Sequence, residues 1–150
     1  MIIFEKLLSN YTFVAIFSSW FLAQFIKGVR GIFKEKSLKG IRHIVANGGM
    51  PSSHAASVSA LCAASALVYG LDSYQFAVSF LFALIVMNDA FGVRYETGKH
   101  SKLLKKILKD SNVETDVKLK VAVGHTPLQV VIGSAMGILI ADLLYFFVYR

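Results

Sequence analysis

Apolar residues gather in four long stretches, at about residues 11–28, 54–71, 74–93 and 127–149, separated by one short and two long polar connections. Each stretch approaches the ~20 residues a helix needs to cross a hydrocarbon core of ~30 Å. Helices are expected because lipid offers backbone groups no partner outside a helix or a closed barrel. The pattern therefore predicts an all-α integral membrane bundle of about four transmembrane helices, forming one membrane-embedded domain over residues 1–150.

The stretches differ in side-chain size. Phe13, Phe17, Trp20, Phe21 and Phe25 make the first bulky and aromatic, whereas the second carries Ala56, Ala60 and Ala64, and the fourth Gly133, Gly137 and Ala141. Small residues four apart let backbones approach closely, so the second and fourth spans are expected to pack together with their starts side by side. Between the second and third spans only Gly70-Leu71-Asp72-Ser73 intervenes, which predicts a tight hairpin.

Composition strengthens the membrane assignment. With 55% hydrophobic residues and a mean hydropathy of +0.59, the chain is too apolar for a soluble domain of this size. Cys62 has no second cysteine to pair with and is expected to serve as a small core residue. Lys6 precedes the first apolar stretch, but no small-residue cleavage site follows, so that stretch is expected to remain as a span.

The net charge of +7 is a matter of topology before it is one of ligands. Fourteen of the sixteen Lys and Arg lie in the two long connections, residues 27–53 and 94–126, which share one side of a four-span chain. The positive-inside rule makes that side cytoplasmic and puts both termini outside. No nucleic-acid module is visible, and the basic balance does not call for one. In the second connection Leu103, Leu104, Ile107 and Leu108 interleave with Lys102, Lys105, Lys106 and Lys109. That spacing predicts a cytoplasmic amphipathic helix lying on an anionic leaflet, with packing on the protein itself as the alternative.

Three polar clusters sit at the cytoplasmic ends of the spans. Pro51-Ser52-Ser53-His54 opens the second span, with serines able to cap the helix. Asn88 and Asp89 precede Gly92-Val93-Arg94 near the end of the third, and Gly124-His125-Thr126-Pro127 opens the fourth with Thr126 as N-cap. Two helix N-termini, two histidines and an arginine thus converge on one face. A neutral histidine can attack phosphorus, a second can protonate the leaving oxygen, and arginine with helix N–H groups can hold the equatorial oxygens.

These phrases carry a family resemblance. Pro51-Ser52-Ser53-His54 resembles the Pro-Ser-Gly-His motif of the type 2 phosphatidic acid phosphatase and vanadium haloperoxidase superfamily, and His125 through Gly137 resembles the end of its Ser-Arg-x5-His-x3-Asp motif and the helix that follows. Gly-Gly-Met-Pro-Ser-Ser-His, Asp-Ala-x-Gly-Val-Arg and Gly-His-Thr-Pro together resemble its short, divergent bacterial branch. The resemblance implies a multi-pass protein of the bacterial cytoplasmic membrane that hydrolyses a lipid phosphomonoester or pyrophosphate through a phosphohistidine, without metal or other cofactor.

By the same resemblance His125 is the expected nucleophile and His54 the general acid, with Arg94, Ser52, Ser53 and nearby backbone N–H groups holding phosphate. Gln129 stands where the superfamily has the aspartate that orients the nucleophile, and Asp89, about 7 Å of helix before Arg94, is a candidate to supply the missing charge or to pair with Arg94. The superfamily's upstream Lys-x6-Arg-Pro motif has no literal match, and Lys39 and Arg42 are assigned its cationic role. Arg94-x5-His100 copies the family spacing, but a Lys-rich segment follows His100, so His125 is preferred. His43 is expected to face solvent, and Asp142 to meet a polar neighbour or water. The expected partners are membrane lipids and a lipid phosphate substrate, with a homodimer left open. The alternative is a membrane protein that binds, scaffolds or transports phospholipids without turnover; a vanadate haloperoxidase is disfavoured in so small a membrane chain.

Overall fold

The computed structural model describes residues 2–40, 49–111 and 124–149. Among these residues every regular element is helical: α1 (Ile2–Ser9), α2 (Tyr11–Glu35), α3 (Ser53–Tyr69), α4 (Tyr74–Asn88), α5 (Arg94–Asp110) and α6 (Pro127–Leu144), with π-helical segments at Asp89–Val93 and Tyr145–Tyr149. The short helix α1 lies ahead of the four apolar stretches, and their pattern does not mark it. It is exposed along its length, and the Tyr149 hydroxyl donates to the Leu8 carbonyl at 2.7 Å.

Local chemistry sets the helix starts. Asn10, Ser52, Ser73 and Thr126 are the N-caps of α2, α3, α4 and α6, each accepting from the backbone N–H three residues on. At the α3–α4 hairpin Gly70 adopts φ +90°, a conformation side chains rarely tolerate, and its carbonyl accepts from the Ser73 hydroxyl at 2.7 Å. The tight turn expected from Gly70-Leu71-Asp72-Ser73 is therefore present. Pro51 precedes the Ser52 cap instead of occupying the first helical turn.

Helix α3 is the centre of the bundle, packing against α2, α4 and most extensively α6. The starts of α3 and α6 lie together, so the two run parallel, with α2 and α4 antiparallel to them. The expected small-residue contact is made at close range: a Cβ on Gly137 would overlap the Ala56 carbonyl oxygen, and one on Gly133 would overlap the Ser52 carbonyl. Further along, Ala141 packs with Ala60 and Ala64.

The aromatic first span hides a third stripe of this kind. Tyr11, Ala15, Ser19, Ala23, Lys27 and Gly31 recur every four residues on α2, and all are buried. Phe13, Phe17, Trp20, Phe21 and Phe25 occupy the remaining surface and are exposed. In a bilayer, bulky apolar side chains on that outer surface meet lipid, while the small stripe lets α2 approach its neighbours.

Three helices are long and apolar enough to cross a membrane: Tyr11–Glu35, Tyr74–Asp110 and Pro127–Tyr149. The fourth expected span, α3, has 17 residues, about 26 Å at 1.5 Å per residue. It is surrounded by the longer helices. The amphipathic segment is present but differs from expectation in its setting, because α4, the π segment and α5 form one continuous helix of 37 residues. Leu103, Leu104 and Ile107 remain exposed, so α5 does not pack its apolar side on the bundle.

Candidate active site

Backbone hydrogen bonds stitch three helix ends together. The Ser52 N–H donates to the Gln129 carbonyl at 3.2 Å, joining the starts of α3 and α6, and the His125 N–H donates to the Ala90 carbonyl in the π segment at 2.9 Å. Gly124 lies so close to the backbone of Arg94 and Tyr95 that a Cβ would overlap it. These contacts fix His54, His125 and Arg94 at one end of the bundle. The His54 and His125 rings approach edge to face, with centroids 6.1 Å apart and planes at 63°.

The two histidines differ in environment. His54 is exposed, while His125 is only 3% exposed. Gln129 Oε1 lies 3.2 Å from His125 Nδ1 and accepts from the Thr126 N–H at 3.2 Å, completing a capping box with the Thr126 hydroxyl. A carbonyl oxygen only accepts, so the contact with Gln129 calls for a proton on Nδ1. Burial holds the His125 pKa below the ordinary 6.5, helped by the nearby Lys27 and His54 charges; hydrogen bonds to Gln129 and the Gly49 backbone work in the opposite direction. Neutral imidazole is the favoured form.

The π segment explains the Asp89–Arg94 pairing. Its wider turn bonds the Arg94 N–H to the Asp89 carbonyl five residues back, which stacks the two side chains, and Arg94 Nε donates to Asp89 Oδ2. Both side chains are partly exposed, and both charges lie within electrostatic reach of His54. Asp89 thus has Arg94 as its partner; among the described residues neither histidine hydrogen-bonds to it.

The serines are engaged from inside the protein. Ser52 is fully buried, and its hydroxyl accepts from the Ala55 N–H at 3.3 Å as the α3 cap. Ser53 Oγ accepts from Lys27 Nζ at 3.1 Å. Lys27, 5% exposed, is also within electrostatic reach of both histidines. In sequence, Lys27 reads only as one of the charges of the first long connection. The signal that identifies it is its place in the buried four-residue stripe of α2. Lys27 and Lys34 also keep the Lys-x6-Arg spacing, with lysine in the second position.

A cavity of about 470 Å³ is bordered by Lys27, Arg30 and Lys34 of α2, by Gly49 and Met50, and by Thr126, Leu128 and Gln129 at the start of α6; neither histidine ring lines it. Lys39 does not line it. Its exposed turn is held by Gly40 packing on the Gly31 backbone, with the Lys39 N–H donating to Ser37 Oγ. Arg42 and His43 lie outside the described residues. His100 is exposed on α5 and does not line this cavity. Among the described residues no three His, Cys, Asp or Glu side chains converge as metal ligands.

A helical membrane bundle with paired histidines beside an arginine and a buried lysine defines the structural class. The sequence matches the Divergent PAP2 family over residues 8–140, and the chain belongs to that family. It is 37% identical over 156 residues to the uncharacterized membrane protein YuiD of Bacillus subtilis (strain 168), an alignment covering 95% of this chain and 98% of that protein. No solved structure matches. The protein is a membrane protein whose family suggests a relationship to phosphatases.

Proposed function

We propose that the protein is an integral-membrane phosphatase acting on a lipid phosphomonoester or pyrophosphate, with its site at the cytoplasmic face of a multi-pass bundle. The observation that carries this proposal is the His54–His125 pair, in which the buried ring is oriented through Nδ1 and the exposed ring stands beside it. His125 Nε2 attacks phosphorus as the bond to the leaving oxygen breaks, and protonated His54 gives that oxygen a proton. Water then attacks the phosphohistidine while neutral His54 takes its proton; phosphate departs and His125 is regenerated. No step requires a bound metal or cofactor.

Arg94 and Lys27 supply positive charge for the equatorial oxygens, and Asp89 acts as a positioning residue by aiming the Arg94 guanidinium. Gln129 fixes the His125 tautomer without the charge a carboxylate would add. That difference favours one second proposal, a protein that holds phosphate-bearing lipids without turnover. Phosphate release from phosphatidate, phosphatidylglycerol phosphate and polyprenyl phosphates separates the two. The phosphatase proposal expects release by wild type and its loss in both His125→Ala and His54→Ala; equal release by all three proteins on every lipid supports the binding proposal.

A further inference from the structure

Helices α4 and α6 both pack on α3 but touch each other only sparingly. They are linked near the histidine end, where the Ser134 hydroxyl donates to Met87 Sδ at 3.4 Å. Between them is a second cavity, of about 450 Å³, floored by Cys62 and Ala63 of α3 and walled by Phe80 and Leu84 of α4 and by Ser134 and Ile138 of α6. Phe80, Leu84 and Ile138 are exposed, so in a bilayer the cavity borders the lipid-facing surface of the bundle. Apart from Ser59, Cys62 and Ser134 its lining is apolar, which leaves water few partners there.

We infer that this groove holds one hydrocarbon chain of the lipid whose phosphate lies at the histidines, and that the lipid enters sideways between α4 and α6. The inference rests on the phosphatase proposal for the headgroup and adds the residues that select its tail. Met87 joins the two places: it lines the groove and packs against Ala55, Ala90 and Val130, and the Ala90 carbonyl accepts from the His125 N–H. A phosphate held at His125 therefore leaves its hydrocarbon chain at the mouth of the groove. From Met87 to Phe76 the groove follows α4 for about 16 Å, close to half of a ~30 Å hydrocarbon core and so to the depth of one leaflet. Spread over that length, its volume gives a mean cross-section of roughly 28 Å², far below that of a helix about 10–12 Å across. The shape suits a lipid chain and not a helix of a second copy.

Lipid tails are as apolar as these walls, so the hydrophobic effect does not favour the groove over the surrounding bilayer. Selection comes from fit, because a chain that fills the groove gains dispersion contacts an empty one forfeits. The headgroup supplies the anchor, and the groove discriminates among tails. A larger side chain at Ala63 or Ser134 takes the place of the lipid.

The intact protein in lipid nanodiscs tests this with a non-hydrolysable long-chain alkyl phosphonate carrying a diazirine midway along its tail, and with the matching alcohol. On illumination the phosphonate is expected to label groove residues about tenfold or more over the alcohol, because only the phosphonate is anchored at its head. Excess unlabelled phosphonate should remove that label. Ser134→Phe and Ala63→Leu should each lower phosphonate labelling to near the level of the alcohol, whereas Val131→Phe, on the exposed side of α6, should preserve it. Equal labelling by the two probes, label at Val131 or Leu139 in place of the groove, or a level unchanged in both filling variants would overturn the inference. Cross-links between two copies at the groove, with no lipid label there, would overturn it in favour of a dimer contact. Groove labelling that behaves as expected in a protein releasing no phosphate would retain the tail site and remove the phosphatase proposal.

Discussion

Gln129 Oε1 lies 3.2 Å from His125 Nδ1 and 3.2 Å from the Thr126 N–H. One amide oxygen therefore serves the start of α6 and the orientation of the ring that precedes it. Gln129→Ala should cost about 1 kcal/mol in thermal unfolding from loss of the cap and reduce phosphate release about 10²-fold by freeing the ring. Gln129→Glu retains an acceptor and adds charge, so it should raise the His125 pKa and keep more activity than alanine. Equal activity in the two variants would show that orientation of His125 is not limiting.

His125 also gives a pH signature. Its folded pKa lies below 6.5, chiefly through burial, so the unfolded chain binds more protons between the folded pKa and 6.5. Stability is therefore greatest above 6.5 and falls as pH drops through that window. Histidine NMR on the detergent-solubilised protein should show His125 titrating below the ordinary histidine value. The pH-dependent loss of thermal stability should diminish in His125→Gln.

Lys27 is one of the charges that lowers the His125 pKa. Lys27→Met should move that pKa upward and weaken binding of vanadate, a phosphate mimic, by about tenfold or more. Lys27→Arg should preserve the His125 pKa more closely. An unchanged titration in Lys27→Met would place the ammonium outside effective reach of the ring.

The α3–α6 contact makes a separate demand on packing. Because a Cβ on Gly137 meets the Ala56 carbonyl, Gly137→Ala should destabilise the bundle by about 1–3 kcal/mol, and Gly137→Leu by more. Ala135→Leu on the exposed side of α6 should have little effect on the melting temperature.

Much of this architecture was legible in the chain because few physical rules govern it. Apolar length marked the spans, Ser52 and Thr126 marked two helix starts, and the Ala and Gly ladders identified the α3–α6 contact. Lys27 was less legible because dividing the chain by hydropathy put it at the edge of a loop, whereas α2 continues to Glu35. Its burial follows from the Ala15-Ser19-Ala23 stripe, which large aromatic neighbours obscured. Gly92 and the charges after it suggested an end to the third span, but the π segment carries the helix into α5. That same turn produces the Asp89–Arg94 stacking, a contact that regular helical geometry does not make across five residues.

The central claim, phosphoryl transfer through His125, is tested most directly by trapping the covalent species. The purified protein is mixed with a lipid phosphate labelled in its terminal phosphorus, quenched in alkali to preserve phosphohistidine, and mapped by peptide. The account predicts label on His125 in wild type and none in His125→Ala. Phosphate release with no labelled protein, or label on His54 or His100 instead, would contradict it.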